Sequence, residues 1–169
     1  MDLRLTDEQT QLVASFKDLF GKHSAPEAVR ESEATGVDVR LWQALRETGV
    51  VEMALPEAVG GWGATLLDLA LVAEQAGESV APAPIIEAQV AARLLAAVDH
   101  EMARAALADV LEGDAVPTVA LHPVRRGVAG LVPAGSVARY VIARSGVDLV
   151  LVDTEPLDVT PVALSLIHI

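Results

Sequence analysis

The chain has 169 residues, 52% hydrophobic and 3% aromatic, with a formal net charge of −12 and no cysteine. That apolar content excludes a disordered chain, and the missing cysteine removes disulfides, thiolate catalysis and thiolate metal sites. Residues 1–114 hold 20 acidic and 8 basic residues, and the remainder four of each, which places a composition boundary near residues 113–117. An acidic surface repels nucleic-acid phosphates and anionic lipid, so neither is an expected partner. With so few aromatics the core must come from Ala, Val and Leu, and alanine favours closely packed helices because it loses no side-chain entropy there.

The N-terminus, MDLRLTDEQT, lacks a basic region followed by an apolar one, so no secretory signal is expected and the default location is the cytoplasm. Thr6 opens a capping box with Gln9. Leu12, Val13, Phe16, Leu19 and Phe20 then recur at helical spacing. Pro26 suits the first position of a second helix. Asp38 is placed to cap a third that carries Val39, Trp42 and Leu45 and ends at Gly49. VVEMALPE reads as an extended apolar segment, followed by the glycine-rich loop around Trp62. Thr65 and Asp68 form a second capping box ahead of Leu69, Val72 and Ala76. SVAPAP stops that helix, and Pro84 starts another through Ile86, Val90, Leu94 and Val98. Asp99 is expected to cap a last helix, closed by Gly113. No apolar run reaches membrane-spanning length, because Arg93, Asp99 and Glu101 interrupt the longest one.

After Pro117 the texture changes. TVALHP, GLVP, ARYVIAR, DLVLVD and LDVTPVAL are short Val-, Ile- and Leu-rich runs between turn residues, and they read as strands. The fold class expected is therefore α+β, with an all-α N-terminal domain of about six helices followed by a partial β-barrel or sheet.

The stretch LPEAVGGWGATLLDLALVAEQAGESVAPAP, with the ordered signals at residues 6–9, 55–63, Glu74 and 82–87, resembles the N-terminal half of an acyl-CoA dehydrogenase. The resemblance covers 1–114 well and 115–163 more weakly, and 164–169 form an atypical tail. It implies a helical domain, then a middle β domain, FAD as cofactor, and desaturation of an acyl-CoA thioester between its α and β carbons. By the same resemblance Gly60, Gly61 and Gly63 let backbone pass near the acyl and flavin region. Trp62 reads as packed under the loop, since a lone tryptophan usually buries its ring, or as a ligand contact.

The helix after SVAPAP lines the acyl chain in that family. The matching positions are Ala83, Pro84, Glu87, Val90, Ala91 and Leu94, and Glu87, Ala91 and Leu94 share one face. A substrate wall and a plain core face have the same periodicity, so both readings stand. For the flavin, the family's first barrel strand ends in Thr-Glu-Pro and a Gly-Ser-Asp turn. Here residues 120–127 read ALHPVRRG, so Leu121 stands where the hydroxyl belongs. Backbone groups of Ala120, Leu121 and His122 are then the implied flavin contacts. His122 reads as a proton shuttle or a turn histidine, and Arg125 and Arg126 as phosphate ligands or a solvated turn. The family's catalytic carboxylate lies in a C-terminal helical bundle that has no counterpart in these residues. No catalytic residue is assigned, and Glu74, Glu78 and Glu87 are not substituted for it. Three readings follow: an incomplete acyl-CoA dehydrogenase chain, a non-catalytic subunit paired with another chain of that family as a homo- or hetero-oligomer, or a helical binding module without redox chemistry.

Overall fold

A computed structural model of the chain describes residues 4–113, 115–157 and 159–160. Six helices come first: α1 Asp7–His23, α2 Pro26–Glu31, α3 Val39–Glu47, α4 Leu66–Glu78, α5 Ile85–Ala97 and α6 Glu101–Glu112. Three strands follow: β1 Pro117–Val119, β2 Tyr140–Ser145 and β3 Asp148–Asp153. Both capping boxes form. Thr6 Oγ1 accepts from the Gln9 amide at 3.1 Å while Gln9 Oε1 accepts from the Thr6 amide at 3.2 Å. Asp68 Oδ2 accepts from the Thr65 amide at 2.8 Å in the second box. These caps satisfy donors that the first helical turn cannot pair itself. The α1 stripe buries Phe16 and Phe20, and α1 packs along α4.

Three expectations are corrected. VVEMALPE is not extended. It folds into a buried 3-10 turn, Glu52–Ala54, with Val50, Val51, Met53, Ala54 and Leu55 all inside. A short continuous apolar run fits a buried turn as well as a strand, and only packing decides between them. The cap of α6 is His100, whose Nδ1 accepts from the Met102 amide at 3.2 Å. Asp99 points to solvent and pairs with Arg104. GLVP, residues 130–133, is not a strand: Leu131 stands at φ 53°, a conformation that cannot extend a ladder, and Ala134 just after it at 52°. LDVTPVAL lies mostly outside the described residues.

The sheet has the order β1-β2-β3. β1 and β2 are parallel, with Thr118 opposite Val141, and β2 and β3 are antiparallel, with Ile142 opposite Leu151. Residues 140–143 of β2, the central strand, are all buried, so side chains on both of its faces are covered there. Tyr140 and Ile142 belong to the same buried cluster as Leu41, Leu55, Leu95 and Ala103, so helices and sheet share one core across the composition boundary. The junction is also polar. The Tyr140 hydroxyl donates to Asp109 Oδ2 on α6 at 2.5 Å. The Arg139 guanidinium lies 5.1 Å from the Tyr140 ring centre and within 3.5–3.7 Å of carboxylate oxygens of Asp109, Asp153 and Glu155. Among the described residues no helix is long and apolar enough to cross a membrane.

Candidate functional site

The glycine-rich loop turns inward on its own chain. The amides of Trp62, Gly63 and Ala64 donate to the carbonyls of Glu52, Leu55 and Met53 at 3.1, 2.9 and 3.1 Å. A Cβ at Gly61 would stand 2.2 Å from the Leu55 carbonyl oxygen, so glycine is required there for the loop to close on the buried turn. The amides of residues 62–64 are thus bonded within the chain. Trp62, expected beneath the loop, is not there. It is 53% exposed, with its ring edge laid over Gly49.

The concave site lies elsewhere, where α4 ends and α5 begins. SVAPAP reverses the chain there, and the Asp38 amide donates to the Pro82 carbonyl at 2.8 Å. That bond ties the start of α3, and with it the α2–α3 turn, to the hinge. Burial pushes the Asp38 carboxyl up, but the amides of Leu41 and Arg40 and the Arg40 charge outweigh it. The group is held below the usual carboxylate range and stays a charged cap. Between the two segments opens a cleft of about 900 Å³. One wall is Val29 and Arg30 of α2 with Glu33 beyond it, and the opposite wall is Ala73, Ala76 and Gly77 of α4. The hinge residues Val80 to Ala83 and the first turn of α5 close the end. The α4 wall carries no side chain larger than a methyl group at those three positions, which is what leaves the space. The surface is chiefly apolar, and its charged members are Arg30, Glu33 and Glu87. None of the three makes an ion pair among the described residues.

Of the six positions expected along α5, Ala83 and Glu87 line this cleft. Pro84 is buried at the N-cap of α5, and Ala91 is fully buried in the core, with Leu94 packed against it. Val90 is 43% exposed and does not line the cleft. The face through Glu87, Ala91 and Leu94 thus begins in the cleft and runs into the core. Reading that face missed the α2 wall, which is distant in sequence. It also missed Val80, for which a signal existed: the α4 terminus has valine where a helix of this type ordinarily ends in glycine.

The second expected site is the end of β1. The Ala120 amide donates to the Ile142 carbonyl at 2.8 Å, and the ladder resumes with the Val124 amide on the Arg144 carbonyl at 2.8 Å. Residues 121–123 loop away between these bonds. Leu121 is 71% exposed and His122 is exposed beside it. A flavin ring edge at this point would meet the amides of Leu121 and His122 and an imidazole, but no hydroxyl. The nearest strand hydroxyl, Thr118, is buried and donates to the Pro133 carbonyl at 2.7 Å. The side chains present do not fit the contact a flavin ring would take.

Comparison with known proteins agrees with this architecture. The family model described as "Acyl-CoA dehydrogenase, N-terminal domain" matches residues 6–114. The chain belongs to the acyl-CoA dehydrogenase family. It is 33% identical over 154 residues to acyl-CoA dehydrogenase IpdE2 of Mycolicibacterium smegmatis, covering 89% of this chain and 46% of that protein. Its structure is similar to a variant of the Tcur3481-Tcur3483 steroid acyl-CoA dehydrogenase, at 28% identity and a TM-score of 0.75, over 88% of this chain and 48% of that one. The ChsE4-ChsE5 complex of Mycobacterium tuberculosis shares the fold, with a TM-score of 0.75 at 24% identity over 92% of this chain and 49% of that one. The chain spans about half the length of these relatives.

Proposed function

We propose that this chain supplies the acyl-binding helical half of a cytoplasmic acyl-CoA dehydrogenase, and that it works as one member of a heteromer. In this reading residues 1–114 hold the acyl group and 115–163 form part of the flavin-side β domain. The observation that carries it is the apolar cleft at the α4–α5 hinge, on the helix that also packs against β1 and so adjoins the flavin edge. When bound, FAD supplies the acceptor for the β-carbon hydride. The side chains at 120–122 do not hold it, so this chain's own task is to bind and orient the acyl group and keep water from it. The cleft takes the apolar body of an acyl group, linear or ring-bearing. At about 900 Å³ its volume is in the range of ordinary small-molecule sites, and the 28% identical relative is described as a steroid acyl-CoA dehydrogenase.

The heteromer is supported by the leucine at position 121 and by two structural neighbours that are described by paired chains. Co-expression with a neighbouring dehydrogenase gene tests it. The expected result is a yellow complex that desaturates an acyl-CoA thioester, with this chain colourless when purified alone. A chain that is yellow and active alone, or two proteins that purify independently, would overturn the heteromeric reading.

A further inference from the structure

Two helices of this protein end in the same hydrogen-bonding pattern with different residues at its critical position. At the end of α3 the Gly49 amide donates to the Arg46 carbonyl and the Val50 amide to the Leu45 carbonyl, with Gly49 at φ 71°. At the end of α4 the Val80 amide donates to the Gly77 carbonyl at 3.1 Å and the Ala81 amide to the Ala76 carbonyl at 2.9 Å, with Val80 at φ 47°. Both are Schellman terminations, whose left-handed residue is usually glycine because a side chain there crowds the backbone. A β-branched residue is the worst ordinary choice.

The valine is not retained for the core. It is 68% exposed and lines the cleft. Strain held at a concave site, with no packing gain inside the protein, points to a contact made outside it. We propose that Val80 is a substrate-contacting residue, whose isopropyl group grips the apolar body of the acyl group opposite the α2 wall. The Schellman bonds fix that group rigidly at the end of the cleft, where a flexible loop residue would not hold its position. This inference rests on the acyl-binding reading of the cleft.

The test uses the full chain with octanoyl-CoA, and with CoA alone as the control, in equilibrium titrations paired with thermal melts. Val80→Gly is expected to raise Tm by about 2–4 °C and to weaken octanoyl-CoA about 10-fold, leaving CoA unchanged. Val80→Ile, which keeps the branched side chain, is expected to retain wild-type affinity. A Val80→Gly protein that melts higher yet binds octanoyl-CoA normally would overturn the role of Val80 and leave the cleft assignment standing. A Val80→Gly protein that does not melt higher removes the premise of strain. A wild-type chain that binds octanoyl-CoA no better than CoA overturns the cleft reading and this inference with it.

Discussion

The side-chain amide of Gln9 donates to Asp68 Oδ1 at 2.9 Å, joining the capping boxes of α1 and α4 across 59 residues. Each cap is local, but the bond between them is tertiary. Hydrogen bonds from the Thr65 hydroxyl and from Gln9, with the Thr65 amide, outweigh burial and hold the Asp68 carboxyl below the usual carboxylate range. A depressed folded value means the group stabilises the fold above its unfolded value near 4, and that contribution is lost as pH falls through the folded one. Asp68→Ala is expected to cost about 1–2 kcal/mol at neutral pH. Asp68→Asn should flatten the acid limb of the stability curve, and denaturant melts from neutral pH to pH 3 check both.

Tyr140 is the only tyrosine in the chain. Its hydrogen bond to Asp109, together with burial, pushes the phenol up to about 12. A raised value favours the protonated folded form, so the stabilisation is complete below the ordinary phenol value near 10 and is lost between there and about 12. Alkaline titration of phenolate absorbance should give one late transition. Asp109→Asn should move it toward the ordinary value, and a wild-type transition near 10 would dissociate α6 from the sheet at this contact.

Gly49 carries two constraints at once. Its φ is 71°, and a Cβ there would lie 2.6 Å from Trp62 Cζ2. Gly49→Ala is expected to destabilise the fold by about 2 kcal/mol or more, since the left-handed penalty adds to displacement of the ring. Chemical denaturation measures the loss, and a shift in tryptophan emission reports the displaced indole.

Gln89 is 5% exposed and donates from Nε2 to the Val50 carbonyl at 2.8 Å. It is the polar bond that fastens α5 to the buried turn before the glycine loop. Gln89→Leu removes the donor and leaves that carbonyl unpaired away from water, a loss of about 1–3 kcal/mol. Hydrogen exchange should quicken in residues 50–64 in particular, whereas a uniform change across the chain would mean that the bond has no local role.

The helices were legible in the sequence because their signals are local. Thr6 with Gln9, Asp38, Thr65 with Asp68, and Pro26 each sit within four residues of the groups they serve. His100 was missed because Asp99 is the stronger capping type by statistics, while a one-residue shift of the helix start is set by where α6 must pack. The 3-10 turn at residues 52–54 was unreadable for a related reason: five buried apolar residues in six have no period to interpret.

Hydrophobic spacing, caps and breakers determined by themselves that helices come first and strands follow, and they located the hinge SVAPAP where the cleft forms. What only the tertiary structure decided was which surfaces meet there. It brought Arg30 of α2 opposite Gly77 of α4, turned the glycine loop onto Leu55, and assigned Thr118 to an internal bond. Local signals govern elements because their partners are a few residues away. A cleft is made by side chains distant along the chain, and its depth follows from which of them are too small to fill it.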